Sequence, residues 1–203
     1  MWSYFRNCKH CGFGFFKNNF TKVDLFCKDC WFLLEIAKSP LRAIFFKGDG
    51  IAVRSLYVWT QERPIVGNLI HGLKGGTPIN VLTRLSIEIA RKFYNQENCI
   101  IVPIPSSKVG EKDHAYLIAK CIAETLDIPM WDGLIWENKT KNQKFLNKTE
   151  RFRASMKKTK SLPRNSKIIL VDDLVTSGAT IMAAKRAIQS LKPIEVWTLA
   201  CRI

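Results

Sequence analysis

Ten consecutive residues, Val171-Asp172-Asp173-Leu174-Val175-Thr176-Ser177-Gly178-Ala179-Thr180, decide the fold of this chain. The apolar run Ile168–Val171 predicts a buried parallel strand that ends at the two carboxylates, and the residues from Thr180 onward predict a helix. Gly178 allows backbone amides to turn inward, and the start of the helix adds unpaired N–H donors and a positive dipole end. Because ligands of such sheets bind beyond the carboxyl ends of the strands, the string predicts a phosphate site.

The two carboxylates extend this prediction to a ribose phosphate. Asp172 and Asp173 would repel a phosphate, but they suit the hydroxyl groups of a sugar, while the hydroxyls of Thr176, Ser177 and Thr180 add donors for the phosphate. The string is not a Walker P-loop, because the chain contains no Gly-x4-Gly-Lys-Ser/Thr. The alternative interpretation is a plain strand–turn–helix junction that binds nothing.

Strand and helix patterns alternate along the rest of the chain. The 203 residues suit one main domain with a small attachment, and 47% of them are apolar, which is enough to bury a core. Strand–helix–strand alternation predicts an α/β fold with a mainly parallel sheet, helices on its faces and right-handed crossovers. The predicted strands cover 51–59, 98–104, 134–136, 167–171 and 195–201; the predicted helices cover 63–74, 79–94, 114–126 and 180–191.

Four of the seven cysteines have the spacing of a metal site. The pair Cys8-x2-Cys11 is followed after 15 residues by Cys27-x2-Cys30, so that two tight turns can aim four sulfurs at one tetrahedral ion. The spacing predicts structural zinc rather than catalytic zinc, because four thiolates leave no open position. Two disulfides are the alternative, which a reducing compartment disfavours.

This pattern divides the chain into two predicted parts. Residues 1–35 form a four-cysteine zinc-binding module, a small zinc finger that cannot hold a core without metal, and residues 36–203 form the α/β domain. His10 lies inside the first knuckle and is predicted to be a bystander rather than a ligand. Cys99, Cys121 and Cys201 lie in apolar stretches and are predicted to be ordinary interior residues.

The charge of the chain favours polyanionic partners. Lys and Arg number 32 against 17 Asp and Glu, a formal charge of +15, and the stretch from Lys139 to Lys167 carries 11 basic residues and one acid. Phe145 and Phe152 lie among these charges, which suits bases that stack while phosphates are neutralised. A solvated loop is the alternative. The candidate residues for contact with single-stranded DNA are Lys144, Lys148, Arg151 and Arg153.

No export or membrane signal is expected. The N-terminus lacks the charged, apolar and small-residue zones of a signal peptide, and apolar runs such as Ile168–Val171 are too short to span a bilayer. We therefore expect a cytoplasmic protein, with contact at the periphery of the inner membrane left open.

Several motifs together resemble those of a known family. The ten-residue string resembles the signature of type I phosphoribosyltransferases, and the paired Cys-x2-Cys narrows the resemblance to the ComF (ComFC-like) family of competence proteins. The similarity extends over nearly all the chain. Gly72-Leu73-Lys74-Gly75 resembles the family's pyrophosphate loop, Ile101–Pro105 resembles its next strand, and Thr140, Gln143, Leu146 and Arg151 resemble its loop ahead of the final strand pair.

The resemblance implies a role for each part of the pocket. Asp172 and Asp173, the candidate catalytic residues, would hold the ribose hydroxyls of 5-phosphoribosyl-1-pyrophosphate (PRPP). The 5′-phosphate would lie in the loop formed by Val175, Thr176, Ser177, Gly178, Ala179 and Thr180. Lys74 and Gly75 would meet the pyrophosphate, with Mg²⁺ bridging phosphate and sugar oxygens.

One segment departs from the family pattern. After the Pro-x-Pro strand the family usually carries an Arg-Gly-Phe-Asn-Gln-like run, whereas this chain has Lys112-Asp113-His114-Ala115-Tyr116. Only the basic first residue is kept, so the resemblance implies no ligand or DNA contact for this segment.

The resemblance implies a role in DNA uptake during natural transformation. The protein would bind incoming single-stranded DNA at the cytoplasmic side of the inner membrane, beside a helicase, a channel or a DNA-processing protein. The alternative is an active phosphoribosyltransferase of nucleotide salvage, a glycosyltransferase. Enzymatic activity itself is left open, because no acceptor site can be identified in the sequence.

Overall fold

The computed structural model describes residues 6–15, 25–38, 44–45, 51–74, 79–95, 98–106, 113–137, 155–163, 166–189 and 193–202. The strands in these ranges are β1 (Arg6–Asn7), β2 (Gly14–Phe15), β3 (Ile44–Phe45), β4 (Ala52–Trp59), β5 (Cys99–Pro103), β6 (Leu134–Trp136), β7 (Met156–Lys158), β8 (Lys167–Val175) and β9 (Ile194–Arg202). The helices are α1 (Lys28–Ile36), α2 (Pro64–Lys74), α3 (Ile79–Phe93), α4 (His114–Leu126) and α5 (Ala179–Ile188).

A five-stranded sheet forms the centre of the fold, in the order β3-β4-β9-β8-β5. The pairs β4–β9, β9–β8 and β8–β5 are parallel, and only the edge strand β3 is antiparallel among the described strands of this sheet. The central strand is buried on both faces, as a parallel strand covered by helices must be: every residue of β9 except Arg202 is buried. The predicted fold class, a mainly parallel α/β sheet, is confirmed.

Alternate residues along the strands supply two cores, one on each face of the sheet. Ile101 and Ile169 belong to a cluster shared with α2, α3 and α4, whereas Ile100 and Ile168 belong to a cluster shared with α5. This separation follows from the two-residue period of a strand, which sends successive side chains to opposite faces. Leu25, Phe26 and Leu34 of the cysteine-rich region belong to the first cluster, so that region is packed on the α/β domain.

Three predicted helices, over 63–74, 79–94 and 114–126, are observed within one residue of their predicted ends. The last helix, α5, begins at Ala179, one residue before its predicted start, and ends at Ile188 rather than near residue 191. The reason is Gln189, which caps the helix in the left-handed conformation with φ of +51°.

The strand that carries the acidic pair is longer than the sequence predicted. We expected it to end at Val171, but β8 continues to Val175, because Asp172 pairs with Thr198 and Val175 pairs with Cys201 of β9. The strand predicted over 134–136 is also present. It does not join the main sheet, however, and pairs antiparallel with Met156–Lys158 instead.

Helix α1 was not predicted. It begins directly after Cys27 and places Cys30 on the buried side of its first turn. Among the described parts of the chain, no helix has both the length and the apolar content needed to cross a bilayer.

Candidate functional site

The predicted phosphate turn lies at the carboxyl end of β8, where the chain enters α5. Gly178 precedes the helix with φ of +73° and ψ of 0°, a left-handed conformation that glycine adopts without strain. Its carbonyl accepts the first bond of the helix, from the N–H of Met182 at 2.9 Å. Gly178 has no side chain to cap the helix start, and the first N–H groups of an α-helix have no partner within the helix itself.

The other residues of the turn have the exposure expected of a ligand loop. Thr176 is exposed, Ser177 and Thr180 are half-buried, and Val175 and Ala179 are buried beneath them. Three hydroxyls therefore stand on an apolar base, next to helix N–H groups and the positive end of the helix dipole. This combination suits an anion with several oxygens, such as a phosphate.

Asp172 and Asp173 lie side by side just before this turn, and both are half-buried. The backbone N–H of Asp173 donates to Oδ1 of Asp172 at 2.8 Å. Burial raises the pKa of the Asp172 carboxyl well above its usual range, and the negative charge of Asp173 raises it further. Two carboxylates held this close are costly in the free protein, so a ligand that brings hydroxyl donors or a cation would stabilise them.

Two residues of the divergent segment join the acidic pair, and sequence reasoning missed both. Nδ1 of His114 lies 4.0 Å from Oδ2 of Asp173. Asp113 is half-buried, and its Oδ1 is buried with no hydrogen-bond partner among the residues that the structure describes. Burial raises the pKa of Asp113, and the charge of nearby Asp173 adds to the effect. An orphaned carboxylate oxygen beside two further acids fits a site that receives a cation or a sugar hydroxyl.

The strand order explains why Asp113 and His114 lie near the acidic pair. The segment follows β5, and β5 is the direct parallel neighbour of β8. Loops that follow neighbouring parallel strands meet at the same edge of a sheet, so residues after β5 are brought to the acidic pair.

The remaining predicted pocket residues are only partly described. Gly72, Leu73 and Lys74 of the predicted pyrophosphate loop form the last turn of α2, and Gly75 lies outside the described residues. Lys112 also lies outside them, as do the four candidate DNA contacts Lys144, Lys148, Arg151 and Arg153.

The four predicted ligand cysteines are brought together. The sulfur atoms of Cys8, Cys11, Cys27 and Cys30 all lie within 4.8 Å of one another, and those of Cys11 and Cys27 are 3.8 Å apart. A tetrahedral zinc ion with Zn–S bonds of about 2.3 Å requires sulfurs about 3.8 Å apart. The seven cysteines form no disulfide with one another, so the disulfide alternative is not observed. The cluster could hold a metal ion such as zinc.

The electrostatics of the cluster also favour a cation. Burial alone would raise the pKa of the Cys8 thiol, but hydrogen bonds from the backbone of Cys11, Cys27 and His10 lower it to about 7. Burial raises the pKa values of Cys27 and Cys30, and neighbouring cysteines raise that of Cys30 further. Four thiolates cannot coexist here without a positive ion, and this is the condition that a bound metal satisfies.

The ring of His10 interacts with α2 instead of joining the cysteine cluster, because its Nδ1 lies 2.9 Å from Nδ2 of Asn68. Cys99 and Cys201 are buried, and Cys121 is half-buried; none of the three belongs to the metal-like group.

A parallel sheet with an acidic pair and a phosphate turn at its carboxyl edge defines a protein of the phosphoribosyltransferase type. The chain belongs to the phosphoribosyl transferase domain family, whose model matches residues 77–201. Over 99 residues it is 36% identical to Competence protein ComFC of Bacillus subtilis (strain 168). That match covers 48% of this chain and 41% of the relative, so it spans less than half the length of either. The resemblance to ComFC-like proteins is confirmed.

Solved structures with similar folds are more distant. The chain is 17% identical to the allosteric regulatory enzyme of purine biosynthesis, with a TM-score of 0.42 over 62% of this chain and 26% of that one. It is 12% identical to the purine phosphoribosyltransferase from Pyrococcus horikoshii Ot3, with a TM-score of 0.33 over 71% of this chain and 85% of that one.

The cysteine cluster predicts a metal-dependent stability. Replacing Cys27 by Ser should lower the zinc content from one ion per chain and destabilise the fold by about 3 kcal/mol, or roughly 6–12 °C in Tm. Metal analysis and thermal unfolding measure both effects. Cys121→Ser is the matched control, and it should keep the zinc and most of the Tm. A Cys27→Ser protein with full zinc content would contradict the assignment.

The acidic pair predicts that the pocket costs stability. An acid whose pKa is raised by folding destabilises the fold above its ordinary pKa, and this penalty fades as the pH falls and both states become protonated. Asp172→Asn should therefore raise the Tm at pH 7.5 by roughly 2–4 °C, which corresponds to about 1 kcal/mol, and by less at pH 4. The exposed Asp132→Asn is the control. A lower Tm at pH 7.5 would show that the free protein already neutralises Asp172.

Proposed function

We propose that this chain binds PRPP together with Mg²⁺ in the pocket at the carboxyl edge of β8. The observation that carries the proposal is the half-buried pair Asp172 and Asp173, held next to a hydroxyl-rich turn at the start of α5, where Gly178 provides no side-chain cap. A pocket for phosphate alone has no use for two acids, whereas a ribose phosphate uses both halves. Membership of the phosphoribosyl transferase domain family supports the same ligand class.

Each part of the pocket has a proposed role. The acidic pair holds the ribose hydroxyls, the turn from Val175 to Thr180 holds the 5′-phosphate, and Lys74 and Gly75 meet the pyrophosphate. Asp113, whose buried Oδ1 has no described partner, is added here as a further acceptor for a hydroxyl or for water on Mg²⁺. Mg²⁺ would neutralise the pyrophosphate charge.

In the cell, we propose, the chain acts in DNA uptake, binding single-stranded DNA at the cytoplasmic side of the inner membrane with the uptake machinery. Support comes from the similarity to Competence protein ComFC and from the formal charge of +15. Residues 1–35 serve as a zinc module, and residues 36–203 form the phosphoribosyltransferase-like domain.

The described surface contains one cleft that suits a nucleic-acid strand. It lies between β7 and α5, has a volume of about 450 Å³, and includes the cations Lys157, Lys158 and Arg186 and a single acid, Glu137. The small or apolar side chains of Met156, Ala183 and Ala187 line it as well. Cationic groups beside an apolar surface can neutralise phosphates while a base packs against the protein. Lys157 and Lys158 belong to the predicted basic stretch, which supports DNA contact on this side of the domain.

Ligand binding is the first test. Calorimetry with PRPP and Mg²⁺ should show binding to the wild type and a loss of at least tenfold for the double variant Asp172→Asn, Asp173→Asn, because the ribose hydroxyls lose their charged acceptors. The matched control is Asp127→Asn with Asp132→Asn, two exposed acids outside the pocket. A wild type that does not bind PRPP, or a double variant that binds it equally well, would sink the proposal.

A pyrophosphate-release assay distinguishes a ligand-binding protein from the alternative, an active phosphoribosyltransferase of nucleotide salvage. Incubation with PRPP, Mg²⁺ and a panel of bases should give no base-dependent release of pyrophosphate if the pocket only senses ligand. Pyrophosphate release with one base would establish the enzyme. The match to the phosphoribosyl transferase domain family supports this second function.

DNA binding should be salt-sensitive and tolerant of sequence, because phosphate neutralisation provides most of the affinity. The affinity for a thymine oligonucleotide should fall steeply between 50 and 200 mM salt, and Lys157→Ala with Arg186→Ala should reduce both the affinity and the salt slope. Arg91→Ala with Lys120→Ala removes the same charge elsewhere and is the control. No detectable binding at low salt would refute the DNA role, and equal losses in both double variants would refute the cleft.

A further inference from the structure

The cysteine module is in direct contact with α2, the helix that leads to the proposed pyrophosphate site. His10 lies in the turn between Cys8 and Cys11, and Nδ2 of Asn68 on α2 donates to its Nδ1 at 2.9 Å. The knuckle that carries His10 is closed by the N–H of Gly12, which donates to the carbonyl of Cys8 at 3.0 Å. The position of His10 is therefore set by the geometry of the cluster.

A second contact lies one helical turn further along α2. The backbone N–H of Lys9 donates to the carbonyl of Leu25 at 2.9 Å, which ties Leu25 to the same knuckle. The buried Leu25 side chain packs so closely on α2 that a Cβ added at Gly72 would lie 3.3 Å from its Cδ2. Asn68 and Gly72 are four residues apart and therefore share one face of the helix.

The neighbouring face of α2 is packed on the domain core. Its apolar residues are almost fully buried there: Ile65, Val66, Leu69, Ile70 and Leu73. The helix is thus held between the sheet and the cysteine module, and the module contacts it through Asn68 and Gly72. Gly72 lies only two residues before Lys74, where the helix ends.

We propose that the metal-loaded cysteine cluster positions the carboxyl end of α2, so that metal and a pyrophosphate-bearing ligand bind cooperatively. His10, Leu25 and Asn68 are positioning residues in this account, since they act through α2 rather than on the ligand. The inference rests on the proposed function, in which Lys74 meets the pyrophosphate. The module would then help to shape the ligand site as well as stabilise the fold.

The coupling has a selective consequence. The contacts reach the pyrophosphate side of the pocket through α2, whereas the 5′-phosphate turn and the acidic pair belong to β8 and α5. Loss of the His10–Asn68 contact should therefore weaken PRPP and leave ribose 5-phosphate, which lacks the pyrophosphate, unaffected. By thermodynamic reciprocity, PRPP should also reduce the fraction of zinc that a competing chelator removes at equilibrium, and ribose 5-phosphate should not.

The test uses zinc-loaded full-length protein and calorimetry with PRPP and with ribose 5-phosphate, both in Mg²⁺. Asn68→Ala should lower the PRPP affinity by about fivefold or more, the lower end of typical couplings between sites, and leave that of ribose 5-phosphate within about twofold. Asn95→Ala, an exposed asparagine just beyond α3, is the control. Zinc content is measured on every variant, so a change caused by lost metal is recognised.

A double-mutant cycle with His10→Ala identifies the contact itself. The double variant should be no weaker than either single variant, because both substitutions remove the same interaction. An unchanged ratio of PRPP to ribose 5-phosphate affinity in zinc-loaded Asn68→Ala, while the wild type binds PRPP, would overturn the coupling and leave the proposed pocket standing. A wild type that binds neither ligand would overturn the proposed function and the coupling together.

Discussion

The parallel pairing of β8 with β9 is the constraint on which the rest of the structure depends. It does not stop at the apolar run but continues past the acidic residues, with Asp172 opposite the fully buried Thr198. β8 is also paired with β5 on its other side as far as Val171, so the residue before the acidic pair is fixed between two strands. The acidic pair is therefore built on a rigid central strand, and the turn into α5 begins from a defined point.

Most of the fold could be predicted because its helices and buried strands have clear patterns. The period of apolar residues located α2, α3 and α4 within one residue of their observed ends, and the alternation of elements gave the parallel sheet. The errors occurred where tertiary pairing overrode local preference. Aspartate is a poor strand former, so β8 was predicted to end before Asp172. The strand continues because β9 is long enough to pair with the residues that follow. The partner of β6 is the short strand β7. It lies in the basic stretch and was not predicted, because its charged residues do not have a strand pattern.

The candidate site was predictable to the same degree and for similar reasons. Asp172, Asp173 and the turn after them are contiguous, so the sequence contains the whole constellation. Asp113 and His114 come from another loop, and they reach the pocket only because β5 and β8 are parallel neighbours. A residue whose role depends on a neighbouring strand cannot be identified from local sequence, but it can be anticipated once the strand order is known.

The two sites share one physical feature. Each brings together ionisable groups whose negative charges repel one another until a positive or hydrogen-bonding ligand binds. In the pocket, burial and a neighbouring charge raise the pKa values of Asp113 and Asp172. In the cysteine module, burial and neighbouring thiols do the same to Cys30. Whatever neutralises such a group binds the folded chain and not the unfolded one, and so adds to its stability. Since α2 lies against the module and, in the proposed function, leads to the pyrophosphate, a metal that stabilises the module would restrict an element of the ligand site, and two separate ligands could then assist each other's binding.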